Sequence, residues 1–353
     1  MFRTNRLRTT ESWVPLISWV AALCLTAPAS AREKVDVVHL KNGDRITGEI
    51  IGLEFGELRM STDSMSKVAI EWLDVVRVES PQNFVVEDDV GGRFHGTLGE
   101  SRVPGTLKVQ SVMGGQPLEL PRVTRIAAAE RTPLTRLEGS FSVGFDYAKA
   151  SEITTLGGSA NLSYRAPNFG WGLDLDTNST KDPTQGTLDR SNAGFHYQWY
   201  RPNRRFWSGI ASLERNEETG IEARVILGGG LGRYFYQSAR TEFSGVAGLV
   251  TVDEWATGIE DSRSSLEALV GATWRIFKFN TPKISLNSAL LLYHSLTESS
   301  RNRSKLNFSL RQELISDLFI DVSLYHSYDT DPPDVTAEKD DYGVTTSLGY
   351  SFN

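Results

Sequence analysis

The sequence predicts an all-β protein, with an antiparallel β-barrel of about twelve strands in its C-terminal part and a tandem pair of small β-modules before it. Three observations lead to this prediction. Apolar and polar residues alternate with a period of two along most of the chain after residue 137. A glycine-containing pattern between residues 35 and 130 occurs twice, and the connections between the later predicted strands alternate between long and short.

Residues 1–31 are predicted to be a secretory signal peptide. A basic start is followed by an apolar stretch from Trp13 to Leu25 and by the small-residue sequence Ala29-Ser30-Ala31. The single cysteine, Cys24, lies inside this segment, so the exported chain would have no disulfide, cysteine nucleophile or thiolate metal site. Cleavage would change the net charge from −7 to about −9, which argues against nucleic-acid binding.

The two predicted β-modules comprise residues 35–80 and 81–130. The segment from Gly43 to Ile50 aligns with the segment from Gly91 to Leu98 at an offset of 48 residues. Downstream, Gly56-Glu57-Leu58 aligns with Gly105-Thr106-Leu107. Shared glycines and shared apolar positions indicate one fold used twice, because the glycines permit the turns and the apolar residues build each core.

Each module is typical of a strongly bent sheet of four or five strands, of the Sm-like or SH3-like kind. Such a fold does not specify its ligand. His39 and His95 occupy different positions in the repeat and have no partner histidine or cysteine nearby in the sequence, so no metal site is predicted. Residues 127–135 are predicted to link the modules to the barrel.

The predicted barrel comprises residues 137–353. In one strand, for example, Phe169, Trp171 and Leu173 alternate with Gly170 and Gly172. The strands near residues 204, 222 and 240 are rich in glycine and ambiguous in phase, so ten or fourteen strands stay open as alternatives. The predicted strands begin near residues 138, 154, 168, 189, 204, 222, 240, 264, 283, 303, 318 and 342.

The connections between these strands favour a transmembrane barrel over a soluble β-sandwich. The short connections lie at 166–168, 201–204, 237–239, 280–282 and 315–317, and the long ones around 148–154, 177–188, 215–221, 253–263, 295–303 and 328–341. Short turns at one end, longer loops at the other and an even strand number are typical of bacterial outer-membrane barrels. This arrangement would place the two modules in the periplasm.

Aromatic residues also cluster near the short connections, where they would form a girdle at a membrane interface. The alternative is that they fill a soluble β core. The cluster contains Tyr164, Phe169, Trp171, Tyr197, Trp199, Phe206, Trp207, Tyr234, Phe235, Tyr236, Trp274, Phe277, Phe279, Tyr350 and Phe352. A thinner ring at the other end contains Tyr147, Tyr293, Tyr325, Tyr328 and Tyr342.

The signal segment, the NGDRITGEI module and a last strand reading Leu348-Gly349-Tyr350-Ser351-Phe352 together resemble the YdiY-like family. This is a family of bacterial outer-membrane proteins known as a domain of unknown function, with members described as salt-induced. The resemblance covers mainly residues 137–353 and implies no catalytic residues. The last strand, through Gly349, Tyr350 and Phe352, also resembles the assembly signal that the barrel-assembly machinery reads, although Asn353 follows the final aromatic residue here.

Charged residues on the polar phase of the strands are the candidate lumen-facing residues. Opposite charges there would either pair across strands and plug the lumen or line an aqueous path, and a barrel of about twelve strands lies between filled barrels of eight and open ones of sixteen. The sequence does not distinguish a plugged lumen from a narrow pore for small solutes. The candidates are Asp174, Asp176, Arg190, Glu267, Arg275, Arg311, Glu313 and Asp321.

No catalytic, cofactor-binding or metal-binding residue is predicted. His294-Ser295 and His326-Ser327 are adjacent pairs, and adjacent residues on a strand point to opposite faces. Neither pair can therefore act as base and nucleophile, which makes a barrel lipid hydrolase the least favoured reading. The leading prediction is a non-enzymatic outer-membrane barrel with an envelope role or a narrow solute pore. The alternative is a membrane-anchored interaction protein whose repeats bind a periplasmic protein or a small solute.

Overall fold

The structure is a computed structural model, and it describes residues 34–101, 103, 105–111, 114–129, 137–148, 152–183, 186–217, 219–256, 262–278, 282–298, 300–315, 317–332 and 338–352. The predicted signal peptide with Cys24, most of the predicted linker, Phe279 and Asn353 lie outside the described residues. Within the ranges that are described, no helix is long and apolar enough to cross a membrane.

Nine of the described strands form an N-terminal sheet. Its order is β4-β3-β2-β1-β5-β6-β7-β8, and β9 pairs with both β2 and β5. Two 3₁₀ turns, Trp72–Asp74 and Leu120–Arg122, lie directly before β5 and β9. The strands are β1 Asp36–Leu40, β2 Arg45–Glu54, β3 Glu57–Ser61, β4 Lys67–Glu71, β5 Val75–Asp88, β6 Arg93–Glu100, β7 Thr106–Ser111, β8 Gly114–Glu119 and β9 Val123–Ala128.

One apolar core serves the whole N-terminal sheet. Leu58 from β3 and Leu107 from β7 belong to the same buried cluster, and the indole Nε1 of Trp72 donates a hydrogen bond of 2.7 Å to the carbonyl of Leu120. Three strands, a 3₁₀ turn and a strand follow one another from β2 to β5 and again from β6 to β9. The predicted module boundary after residue 80 lies inside β5, so residues on both sides of it share one sheet and one core.

Twelve further strands in the described chain close into an antiparallel barrel, β10 to β21, in sequential order. The barrel closes where β10 pairs with β21, from Gly139 opposite Phe352 to Gly144 opposite Ser347. The strands are β10 Leu137–Ala148, β11 Ile153–Arg165, β12 Phe169–Asp182, β13 Gly186–Arg201, β14 Arg205–Asn216, β15 Ile221–Gln237, β16 Thr241–Ala256, β17 Ser262–Lys278, β18 Ile284–Ser295, β19 Asn302–Ile315, β20 Leu318–Asp329 and β21 Asp340–Phe352.

The predicted strand number is confirmed, and every barrel strand begins within three residues of its predicted start. The long connection predicted at 177–188 is wrong. β12 continues to Asp182 and β13 begins at Gly186, which leaves a connection of three residues, 183–185. The outer part of this hairpin has polar residues on both faces, including Asn178 and Ser179, so it lacks the apolar alternation that reveals a strand.

The barrel has an apolar outer face and a largely polar inner face. On β14, for example, Trp207 is 51% exposed whereas its neighbour Phe206 is 3% exposed. We call the end with the connections 166–168, 202–204, 238–240, 279–283 and 316–317 the inner end, and the opposite end the outer end. Other large exposed apolar residues of the barrel are Val143, Phe145, Leu156, Leu213, Leu227, Leu231, Leu249, Val270, Trp274, Leu292, Val344 and Leu348.

Five of the described aromatic residues that were predicted for the two girdles face the interior instead, among them Phe277, whose ring lies against Phe55 in the turn between β2 and β3. Phe206 and Tyr234 are buried and their ring centroids lie 5.0 Å apart, while Tyr293 is buried and Tyr325 lies under a guanidinium group in the lumen. The predicted girdle includes consecutive aromatic residues such as Phe206 and Trp207. Two consecutive residues of a regular strand cannot both face outward, so one of each pair must face the interior. A bulge between Tyr234 and Tyr236 lets Phe235 and Tyr236 both remain exposed.

Candidate functional site

The N-terminal sheet contacts the inner end of the barrel through ion pairs. Glu54, the last residue of β2, lies 2.7 Å from the Nη1 atom of Arg165 at the end of β11. Arg59 on β3 pairs with Glu138 at the start of β10. The Nη2 atom of Arg125 donates a hydrogen bond of 3.0 Å to the carbonyl of Ala166, in the first inner connection. These contacts attach the sheet to one side of the barrel opening.

Further contacts attach the sheet to the opposite side of the opening. Arg240, in the third inner connection, donates a hydrogen bond of 2.8 Å to Glu71. Lys283, in the fourth, lies 3.6 Å from Glu57. The rings of Phe55 and Phe277 lie with their centroids 4.5 Å apart. The sheet therefore reaches across the inner end, and we call it the cap.

Gly56 is a position where the cap approaches the barrel closely. Its φ of 77° lies in the left-handed region, and a Cβ atom there would overlap with the carbonyl of Ala239. Glycine meets both requirements, because it adopts positive φ without strain and has no side chain. The aligned glycine of the second module, Gly105, has a φ of 74° and faces open space.

The electrostatics of the interface favour the charged form of Glu54. Burial alone would raise the pKa of this carboxyl, but Arg165, Arg125 and Arg59 surround it and hold its pKa below the ordinary value. For Arg59, burial alone would lower the pKa of the guanidinium group. The nearby Glu138 more than offsets this effect, so the pKa of Arg59 is raised above its ordinary value. Both groups are therefore charged at neutral pH, and half-buried ion pairs hold this side of the interface, whereas the pairs of Arg240 and Lys283 on the opposite side are more exposed.

A cavity of about 590 Å³ lies between the cap and the lumen wall. Glu49 and Arg59 line it from the cap, and Asp174, His196 and Arg275 line it from the barrel. Acidic and basic groups are mixed in its wall, so the cavity suits water or a small polar solute. Its size is in the range of small-molecule sites.

A network of buried ion pairs fills the outer half of the lumen. Arg224 on β15 pairs with Glu254 on β16 and lies 3.2 Å from Glu214 on β14. Arg301 donates hydrogen bonds of 2.6 and 3.1 Å to the two carboxylate oxygens of Glu254, and another of 2.7 Å to Asp329. Glu254 and Arg301 are each only 1% exposed. We call these residues, with Lys305, the lumen network.

The lumen network crosses the interior of the barrel. Lys305 on β19 donates a hydrogen bond of 2.5 Å to Glu214 on β14, and Arg224 on β15 lies 3.5 Å from Asp329 on β20. Each of these contacts joins strands that are five positions apart in a closed barrel of twelve. Such strands stand on nearly opposite walls, so their side chains can meet only across the lumen. An apolar cluster lies beside the network on the inner wall and contains Ile226, Val250, Val252, Leu269 and Tyr293.

The predicted lumen-facing residues do not form one site. Glu267 lies near the lumen network, where the Nη2 atom of Arg303 donates a hydrogen bond of 2.5 Å to it. Arg190 lies 3.8 Å from Asp341 toward the outer end. Asp176 accepts a hydrogen bond of 3.1 Å from Asn192. These candidates bond to groups of the same barrel.

The remaining candidates lie toward the inner end. Asp174 and Arg275 line the cavity, where Asp174 lies 3.4 Å from the Nδ1 atom of His196. Arg311 lies 3.6 Å from Asp321 on the neighbouring strand. Glu313 lies 3.4 Å from Lys283, which also contacts the cap.

Sequence reasoning missed most of the lumen network. Arg224 and Glu254 lie on strands whose phase was ambiguous, and Arg301 lies just before β19 in a predicted loop. A signal was present for Arg224, which lies between the apolar residues Ala223 and Val225, whereas Asp253 and Glu254 are adjacent acidic residues and define no phase.

The histidine and serine pairs are separated as their adjacency predicts. His294 faces outward and its Nδ1 atom lies 2.9 Å from the side-chain oxygen of Asn302, whereas Ser295 is buried. The Nε2 atom of His326 lies 2.6 Å from Asp340. In the part of the chain that the structure describes, no group of three or more His, Cys, Asp or Glu side chains could hold a metal ion.

The predicted assembly signal lies on the strand that closes the barrel. Tyr350 and Phe352 face outward on β21, and Tyr350 lies 6.1 Å from Phe141 between ring centroids. Gly349 faces inward, where a Cβ atom would overlap with the ring of Phe319.

Together, these features define a closed, twelve-stranded antiparallel barrel with an apolar exterior, a lumen crossed by ion pairs and a cap at one end. A family model described as "Protein of unknown function, DUF481" matches residues 142–352. The chain belongs to this family, which confirms the YdiY-like resemblance. No curated protein matches the sequence closely enough to count as a relative.

Several solved structures are similar to the barrel at low identity. The NanC porin is 10% identical, with 61% of this chain and 99% of that chain covered and a TM-score of 0.37. The translocator domain of the autotransporter NalP from Neisseria meningitidis is 10% identical, with coverages of 62% and 87% and a TM-score of 0.34. The beta domain of the Bordetella autotransporter BrkA is 9% identical, with coverages of 62% and 98% and a TM-score of 0.33.

Proposed function

We propose that this protein is a non-enzymatic barrel of the bacterial outer membrane, with an occluded lumen, a periplasmic cap and a structural role in the envelope. The observation that carries the proposal is the lumen network. Its side chains bond across the barrel between strands five positions apart, and Glu254 and Arg301 at its centre are almost fully buried. The cap obstructs the inner end in addition.

The membrane placement is supported by the outer surface of the barrel. Large apolar side chains are exposed around it, and a soluble protein would not leave such a surface in contact with water. Outward-facing aromatic residues concentrate toward the inner end, among them Trp199, Trp207, Phe235 and Trp274. Such a band is typical of a membrane interface. Short connections beside it favour the periplasmic side for the cap.

Planar-bilayer conductance tests the occluded lumen. We expect no reproducible conductance steps from the refolded protein. A variant that removes both signs of charge together, with Arg224, Glu254 and Arg301 each replaced by Ser, should show small steps because it opens the outer half of the lumen. Reproducible steps from the unmodified protein would support a narrow solute pore instead and contradict the proposal.

The non-enzymatic part of the proposal is tested on phospholipid vesicles. Purified protein supplemented with calcium should release no fatty acid, because His294 faces outward beside Asn302 while Ser295 is buried. Hydrolysis that disappears in a His294→Ala variant would establish a barrel lipid hydrolase.

A second candidate function is a membrane-anchored interaction protein. The cap has two strands at the ends of its hydrogen-bonded order, β4 and β8, and a side-chain-filled barrel is suited to be an anchor. We infer that the two halves of the cap are Sm-like or SH3-like modules, since the same order of elements occurs twice. Retention of one periplasmic protein by the immobilised protein, lost when Val68 on β4 is replaced by Pro, would favour this function.

A further inference from the structure

Three arginines lie side by side on the outer surface at the inner end of the barrel. Arg201 on β13 is directly opposite Arg205 on β14, and Arg205 is directly opposite Arg233 on β15. Directly opposite residues in an antiparallel pair have Cβ atoms about 4.5–5.5 Å apart. Three positive charges are therefore held in one row by the strand register. We call this row the arginine row.

All three side chains face outward. Arg205 precedes the buried Phe206, and Arg233 precedes the buried Tyr234, so the arginines take the opposite phase. Arg201 lies over two outward-facing rings, 4.0 Å from the centroid of Trp199 and 4.8 Å from that of Trp207. The row therefore lies directly beside the aromatic band.

The charges of the arginine row are not compensated by the described part of the protein. Neither Arg205 nor Arg233 makes a side-chain hydrogen bond, an ion pair or a ring contact with any described residue. Arg201 contacts the two tryptophan rings only, among those same residues. Like charges directly opposite on neighbouring strands are destabilising. By contrast, Arg215 at the outer end of β14 is compensated by Glu217. An anion from outside the chain would remove this repulsion.

We propose that the arginine row binds the phosphate of an anionic phospholipid in the periplasmic leaflet of the outer membrane. The guanidinium fork is suited to bidentate phosphate binding, and three forks in a row can contact the phosphate and the glycerol oxygens of one headgroup. Trp199, Trp207 and Leu231 form the next outward-facing row, where acyl chains would pack. A free anion would gain nothing from that apolar row. The inference rests on the proposed membrane placement.

The test measures which lipid the protein retains. The protein is refolded into vesicles of phosphatidylcholine alone or of phosphatidylcholine with phosphatidylglycerol, extracted with mild detergent and analysed by native mass spectrometry. We expect phosphatidylglycerol to be enriched on the protein relative to the vesicle. A variant with Arg201→Gln, Arg205→Gln and Arg233→Gln should reduce this enrichment by more than tenfold, since each arginine near an anionic headgroup contributes roughly fivefold. A large excess of inorganic phosphate should not displace the lipid.

The matched control is Arg215→Gln, which changes an outward-facing arginine on the same strand as Arg205 but at the outer end. It should keep the enrichment. An unchanged enrichment in the triple variant, an equal loss in the control or displacement by inorganic phosphate would overturn the lipid site. Insertion is followed separately by protection of barrel strands from protease. Failure to insert into either vesicle would overturn the membrane placement and the lipid site together, whereas insertion without enrichment overturns the lipid site alone.

Discussion

Among single residues, Glu254 has the most demanding environment, because it compensates two arginines inside the lumen. It pairs with Arg224 and Arg301 and is 1% exposed. We expect Glu254→Ala to lower the free energy of unfolding by about 3 kcal/mol, since both guanidinium groups stay buried with fewer partners. Denaturant unfolding of the vesicle-inserted protein measures this loss. Asp253→Ala, one residue away on the outer face, should change it by no more than about 0.5 kcal/mol. Equal losses in the two variants would mean that the lumen network contributes nothing specific.

The same residues define how far the sequence could predict the site. Strand phase alone placed Glu267 and Asp321 on the polar face, but it could not identify the partners of Glu254. Arg224 lies on the neighbouring β15, but Arg301 lies just before β19, three strands away in the barrel, and contacts across a lumen depend on barrel closure rather than on local pattern. Arg301 is the clearest case, because it lies outside any strand and still reaches the centre of the network.

At the scale of elements, the turn between β2 and β3 packs directly against the barrel through Gly56. Gly56→Ala should weaken docking, because the new Cβ atom would overlap with the carbonyl of Ala239. Gly105→Ala is the matched control: its φ is also positive, so it has a similar backbone strain of about 1–2 kcal/mol, but it faces open space. Amide hydrogen exchange of β2 and β3 reads out docking. Equal exchange in the two variants would show that the close approach is unimportant.

The cap interface should also depend on pH through Glu54. Its carboxyl has a lowered pKa in the docked state, because Arg165, Arg125 and Arg59 outweigh the effect of burial. Because this pKa is lowered, the Glu54 carboxylate contributes fully to docking above the pKa of a free glutamate, about 4.3. That contribution is lost as the pH falls through the pKa that Glu54 has in the docked state. We therefore expect protection of β2, corrected for intrinsic exchange rates, to decrease below about pH 4. In Glu54→Gln this decrease should be absent, and its persistence would assign the transition to another group.

At the scale of the whole molecule, the architecture follows from two periodicities that the sequence displays. Period-two alternation predicts the twelve strands, and the 48-residue offset predicts that elements recur in the cap. Neither pattern predicts that the cap lies across the inner end. That arrangement depends on pairs such as Glu57 with Lys283 and Glu71 with Arg240, which are more than 150 residues apart and lie on polar positions without periodicity.

The two sets of ion pairs should respond differently to salt. Those between cap and barrel include exposed groups, with Arg240 56% and Lys283 39% exposed, whereas Arg224 and Arg301 in the lumen network are nearly inaccessible. Salt screens exposed pairs strongly and buried pairs much less, since the Debye length shrinks from about 10 Å at 0.1 M to about 3 Å at 1 M. We expect 1 M sodium chloride to increase amide exchange in β2, β3 and β4 severalfold, which corresponds to the loss of roughly two surface ion pairs. Amide exchange in β15, β16 and β19 should remain unchanged. The double variant Glu57→Gln, Glu71→Gln should exchange rapidly at low salt and gain little more at high salt. If salt instead left the cap strands as unchanged as the barrel strands, the cap would be held by its buried contacts, and docking would be as permanent as the barrel itself.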